Sequence, residues 1–248
     1  MPSIPNESGS LRLLPLSAML KAPSDRSPAK VASKSAPRST TPKPSSATHK
    51  RVRRLRRSEL PVDTEELARY LIGKTLVHDL AEGRLSGRIV ETEAYPIGDA
   101  ACHAFRGETP RNRSLFLAHG HCYTYFTYGS CWMMNVASEP HGVGGGVLIR
   151  AIEPVEGVNL MEKNRGATAG TKLTQGPGRL AAAMRIDKSQ DGLDLCSQKS
   201  PIWLGTPVRP TGEIGVTTRI GLSREAHRLL RFYEKGSPFV SGPRRLLV

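Results

Sequence analysis

Arg88–Asn135 reads RIVETEAYPIGDAACHAFRGETPRNRSLFLAHGHCYTYFTYGSCWMMN, and both the fold and the chemistry of the chain turn on this stretch. Its first eight residues alternate. That predicts a half-buried strand with Val90, Thr92 and Ala94 on one face and Glu91, Glu93 and Tyr95 on the other. Acidic residues are disfavoured on strands unless something uses them. Farther along, Cys122–Thr127 and Cys131–Ala137 read as β-rich runs joined around Tyr128-Gly129-Ser130, the glycine marking a hairpin. Tyr128 then stands at the tip and projects, Tyr123 and Tyr125 share one face, and Asn135 sits in the second strand. A carboxylate, stacking rings, a projecting aromatic and an amide together suit the grip of a flat heterocycle. Taken singly, strand tyrosines are packing residues and a strand Asn is a satisfied polar group, so the joint occurrence carries the argument.

Outward from this stretch, Pro61–Ile72 reads as a helix capped by Asp63 or Thr64 and ended by Gly73. KTLVHDL and RLSGRIVETEAY flank Ala81-Glu82-Gly83 as a hairpin. A loop containing His103 precedes the TPRNRS turn at Thr109–Ser114. After the glycine-rich residues 142–146 come a buried-looking strand, GVLIRAI, ending at Glu153-Pro154, and a helix over Pro154–Asn164. Gly176-Pro177-Gly178 opens a short helix with proline in its first turn. It lacks the spacing of a nucleotide-cofactor loop. The last third offers short strands. Several hairpins, few helices and no βαβ rhythm imply an α+β single domain around a curved antiparallel or mixed β-sheet, with a protruding β-hairpin and peripheral helices.

The chain has 248 residues and a formal charge of +14, but the charge is unevenly spread. Residues 1–57 hold 13 Lys and Arg against 2 Asp and Glu; the other 191 hold 23 against 20. The first 57 also lack Phe, Trp and Tyr, so they cannot bury enough apolar surface to offset chain entropy. They are expected to form a disordered basic tail ending in KRVRRLRR, able to bind phosphate backbones without reading sequence. Residues 58–248 are expected to form the folded domain. Leu11–Leu20 is too short and proline-broken for a secretory core or membrane span, although the basic, Ser-rich, acid-poor composition around it is compatible with organelle targeting. The cysteines at 102, 122, 131 and 196 form no CxxC and suit no zinc site, so reduced, mostly buried thiols are expected.

VETEAY, the Ala101-Cys102-His103 triplet, TPRNR, YTYFTYG, Asn135 seven residues after Tyr128, and VLIRAIEP together resemble the alkyladenine (3-methyladenine) DNA glycosylase family, from about Leu60 to Ser241. The resemblance implies a monofunctional glycosylase of base excision repair. Such an enzyme flips damaged purines (3-methyladenine, 7-methylguanine, hypoxanthine, ethenoadenine) out of double-stranded DNA and hydrolyses the N-glycosidic bond, with no cofactor and no metal. By the same resemblance, Glu93 is the general base and Arg150 positions the water and carboxylate. Tyr95 and Tyr125 stack on the base, His103 adds a contact, and Asn135 crowds the purine 2-amino position. Tyr128 intercalates, while Thr109, Arg111 and Arg113 hold the DNA backbone. Glu91 is expected to be structural or ion-paired. A monomer acting in a DNA-containing intracellular compartment, with no membrane association, completes the expectation. Two departures stand out: Ser130 and Cys131 are smaller than the bulky residues of vertebrate relatives, and the loop before TPRNR is one residue shorter. The rival reading is a non-catalytic damaged-DNA or RNA binding module, which would keep the basic residues and Tyr128 but gain nothing from a buried acid.

Overall fold

The computed structural model describes residues 52–243. The readings made for residues 1–51 lie outside the described residues. The chain folds as α+β. A helix, α1 (Thr64–Leu71), precedes a hairpin of β1 (Thr75–Leu80) and β2 (Gly83–Tyr95). The tyrosine hairpin follows as β3 (Cys122–Thr127) and β4 (Cys131–Ala137), then β5 (Gly146–Glu156). Two short helices, α2 (Val158–Asn164) and α3 (Pro177–Ala183), and three short strands, β6 (Ile202–Gly205), β7 (Ile214–Thr217) and β8 (Arg231–Glu234), complete the order. Every strand pair is antiparallel, and the eight strands form one curled sheet.

The spine is β2. Its outer half pairs with β1, and from Glu91 to Glu93 that edge passes to β8, while β5 runs along the opposite edge. The alternation of β2 implied one wet face, yet residues 85–94 are buried on both sides. The difference has a physical cause. The curled sheet wraps the Glu-bearing face inward, where buried arginines meet it, and α1 covers the other face through Leu67, Ala68 and Leu71. The two leucines, fully buried, contribute about 1.5–3 kcal/mol each. Asp63 caps α1 by accepting from the Glu66 amide, and Thr92 Oγ1 donates to the Ala68 carbonyl, tying helix to strand. α3 packs on β4 and β5, its Leu180 and Ala181 in the same apolar cluster as Leu67 and Leu71 of α1.

Three expectations need correction. The expected helix over 154–164 starts late: β5 continues to Glu156, with Pro154 lying beside a register shift, a place where a strand tolerates proline. Gly157 then turns the chain at φ 71°, and a Cβ there would fall 2.4 Å from the Arg84 carbonyl oxygen, so only glycine fits. Residues 52–57, read as the end of the tail, are instead packed along the edge of the sheet. Leu55 is buried and its amide donates to the Leu204 carbonyl, and Arg54 bridges Gly205. One apolar side chain and a free sheet edge outweigh the surrounding charge. Of the four free cysteines, Cys102 and Cys122 are buried, but Cys131 and Cys196 are half-buried. Among the described residues no helix is long and apolar enough to cross a membrane.

Candidate active site

Two strand irregularities bring the charges together. Against β5, β2 has an extra residue at Val90; against β2, β5 has one at Arg150. Such bulges re-aim side chains. Arg150 can therefore reach two carboxylates, with Nε 2.9 Å from Glu91 Oε1 and Nη1 3.1 Å from Glu93 Oε1. Burial works against the Arg150 guanidinium, but Glu93 and then Glu91 outweigh it and hold its pKa above the usual arginine value.

The two glutamates have different surroundings. Glu91 is fully committed to the scaffold. Its Oε1 accepts from Arg231 Nε at 2.6 Å and Ser241 Oγ at 3.0 Å, and its Oε2 from the Ser241 amide at 2.6 Å. Glu93 is as deeply buried, yet less occupied. Its Oε1 takes the Ile220 amide at 2.8 Å beside Arg150, while Oε2 takes only the Tyr95 hydroxyl at 2.9 Å. A carboxylate oxygen has two lone pairs, so Oε2 keeps one unused. Burial and then the Glu93 charge push the Tyr95 phenol well above its ordinary pKa, so its hydroxyl is the donor in this bond at neutral pH.

Tyr95 also lines a cavity of about 170 Å³, with His103, Tyr123, Tyr125, Tyr128 and Asn135. Glu93 does not line it and meets it through the Tyr95 hydroxyl. The period of two in β3 aims Tyr123 and Tyr125 inward together, 5.5 Å apart and stacked. His103 meets Tyr125 edge-on at 4.5 Å and its Nδ1 lies 2.9 Å from the Tyr123 hydroxyl. Desolvation and then Arg111 lower the His103 pKa, so the ring is neutral at pH 7. Burial pushes the Tyr125 hydroxyl up to about 12. Asn135 pairs across from Tyr123 and its Nδ2 faces the Tyr123 carbonyl at 3.4 Å.

Tyr128 stands at the hairpin tip, 80% exposed, with φ 52° followed by Gly129 at 64°. Two successive left-handed residues match the twist of the flanking strands. An aromatic residue in that region is unusual and points to a use for the ring itself. The TPRNR residues do not act as one group. Thr109 is exposed but tied to its own turn, its Oγ1 donating to Asn112 Oδ1 at 2.9 Å. Arg111 lines a neighbouring hollow beside His103, whereas Arg113 lines a separate one with His141 and Asp191. Asn112, which the sequence did not single out, holds the loop through the His103 and Gly107 carbonyls. Leu222 in the cavity wall carried no signal at all, because its loop has no periodicity.

The methylpurine-DNA glycosylase family model matches residues 58–238. Among curated proteins, the chain is 63% identical over 190 residues to one from Mesorhizobium japonicum, covering 77% of this chain and 91% of the relative. It is 57% identical over 194 residues to one from Paraburkholderia phytofirmans, covering 78% and 91%. A third, from Rubrobacter xylanophilus, is 45% identical over 176 residues, covering 71% and 91%. All three carry the name "Putative 3-methyladenine DNA glycosylase".

Proposed function

The chain belongs to the methylpurine-DNA glycosylase family and is a DNA glycosylase, a hydrolase of base excision repair; on that premise we propose that Glu93 activates water to release alkylated and deaminated purines from duplex DNA, the enzyme acting as a monomer. The observation that carries the reading is the Glu93–Tyr95 hydrogen bond, which joins a sealed carboxylate to the wall of an aromatic cavity.

A buried nucleotide must first leave the stack, at a cost of a few kcal/mol. Tyr128 offsets part of it by filling the gap. The extruded base enters between Tyr95 and the His103–Tyr125 pair, where stacking is worth about 1–3 kcal/mol. Oε1 of Glu93 is already engaged twice, so Oε2 is the oxygen that meets the water as the Tyr95 hydroxyl gives way. The proton passes from water to Oε2, the hydroxide oxygen bonds C1′, and the C1′–N electron pair leaves with the base. Glu93 also faces the positive charge that builds on the sugar. A cationic alkylpurine departs neutral; hypoxanthine or ethenoadenine must gain a proton. Arg111 and Arg113, on two sides of one turn, suit phosphates of the flanking backbone, with Thr109 bracing the turn between them.

The test is base release from duplexes carrying one hypoxanthine, ethenoadenine or 7-methylguanine. Release from none of them defeats the reading. Two variants probe its parts. Tyr128→Ser removes the wedge from an exposed position, so extrusion fluorescence of ethenoadenine and lesion-duplex affinity should each fall about tenfold, at roughly 1.4 kcal/mol, while the melting temperature holds. Undiminished extrusion counts against the wedge. Asn135→Ala opens space beside the purine 2-amino group and should raise release of unmodified guanine from undamaged DNA several-fold, read by chromatography of free bases. An unaltered guanine background removes Asn135 from the specificity argument.

A further inference from the structure

The segment between β7 and β8 delivers three things to the site within four residues. Leu222 enters the cavity wall, the Ile220 amide binds Glu93, and Arg219 lies behind Tyr95. Arg219 is completely buried, and its guanidinium carbon sits 4.6 Å from the Tyr95 ring centroid. Its Nη1 donates to the Ala94 carbonyl at 2.9 Å and lies 2.5 Å from Asp99 Oδ2. Among the described residues its Nε has no hydrogen-bond acceptor, which leaves the ring face as the favourable neighbour of that part of the group. Tyr95 lines the cavity and Arg219 does not, so the cation occupies the rear of the ring and the base would occupy the front. Asp99, itself fully buried, accepts from the Ala101 amide at 2.8 Å and so anchors the turn that carries His103.

A ring with a cation on one face has less to offer a cation on the other. The π-density is already drawn towards the guanidinium, and the two positive charges repel through the ring in a site of low dielectric. Among the described residues no cation stacks on Tyr125; its ring neighbours are Tyr123 and His103.

We propose that Arg219 is a specificity-determining residue: its guanidinium makes the Tyr95 wall favour neutral bases, and attraction for cationic alkylpurines is left to Tyr125. The inference rests on the glycosylase reading, with the base stacked on Tyr95. Asp99 tempers the effect by partly neutralising the guanidinium, which makes the balance between the two lesion classes a property of the Asp99–Arg219 pair.

The experiment measures single-turnover base release from two duplexes, one with cationic 7-methylguanine and one with neutral hypoxanthine, and takes their ratio within each preparation. The ratio is independent of how much of a variant is folded. Asp99→Asn, which leaves the cation unscreened, should lower it relative to the parent. Arg219→Met with Asp99→Asn, which removes the charge without stranding a carboxylate, should raise it about three- to tenfold. Arg219→Lys, retaining a cation, should stay near the parent ratio. Opposite shifts in the first two variants cannot arise from loosened packing alone. If both rates fall in parallel and the ratio holds in every variant, Arg219 merely supports the fold and the inference is overturned. If the parent releases neither base, the glycosylase reading itself fails, a separate result.

Discussion

Glu93→Gln eliminates base release while leaving the lesion duplex bound. General-base catalysis is worth about 10²–10⁴-fold, and an amide can neither take the proton from water nor offset the charge on the sugar, so a loss at the upper end or beyond is expected. The substitution is well suited to the site. Its carbonyl can still accept from the Ile220 amide beside Arg150, and its NH₂ can face the Tyr95 hydroxyl, which then turns to accept. Tyr95, Tyr125 and Tyr128 keep their places, so affinity for a hypoxanthine duplex should change little. Single-turnover release and a gel-shift titration of the same preparation check both halves. A rate within a few-fold of the parent would remove Glu93 from the chemistry and require another group to activate the water.

Glu91→Ala has the opposite profile and is expected to cost stability first. Glu91 is the common acceptor for Arg150, Arg231 and both donors of Ser241, and none of these groups reaches solvent to any useful degree. Removing it strands the buried Arg231 guanidinium without a carboxylate and leaves Arg150 with Glu93 alone, a change that costs about 3–5 kcal/mol. At about 2–4 °C per kcal/mol for a domain of this size, the melting temperature should drop by roughly 10 °C. Activity should fall as well, since Arg150 loses its anchor. Calorimetry decides the point: a melting temperature within about 2 °C of the parent would mean the cluster is not the buried ionic junction described here. Arg231→Met with Glu91→Gln should recover part of the loss, because an apolar replacement of a buried pair avoids the orphaned charge.

The contrast between these two glutamates also marks how far residue order alone could go. Alternation in RIVETEAY put Glu91, Glu93 and Tyr95 on one face, and the structure has Tyr95 and Glu93 joined by a hydrogen bond on that face. The tyrosine hairpin, a cap at Asp63 or Thr64 (Asp63 in the structure), the Gly73 stop and the β1–β2 turn were equally legible. Each depends on interactions between residues a few positions apart, and such interactions leave a period or a turn residue in the chain. The same alternation misjudged the burial of β2, because a pattern of two records which side chains share a face and not what covers that face.

What only the tertiary structure decided is which carboxylate is spent on the scaffold. The partners that bind Glu91 come from Arg231 and Ser241, 140 and 150 residues away, and the amide that binds Glu93 comes from Ile220, 127 residues away. The bulges at Val90 and Arg150, the transfer of the β2 edge from β1 to β8, and the placing of Arg219 behind Tyr95 belong to the same class. Register between distant strands is set by the closing of the whole sheet around its core. A one-residue irregularity there re-aims a side chain without leaving any local trace in the order of residues.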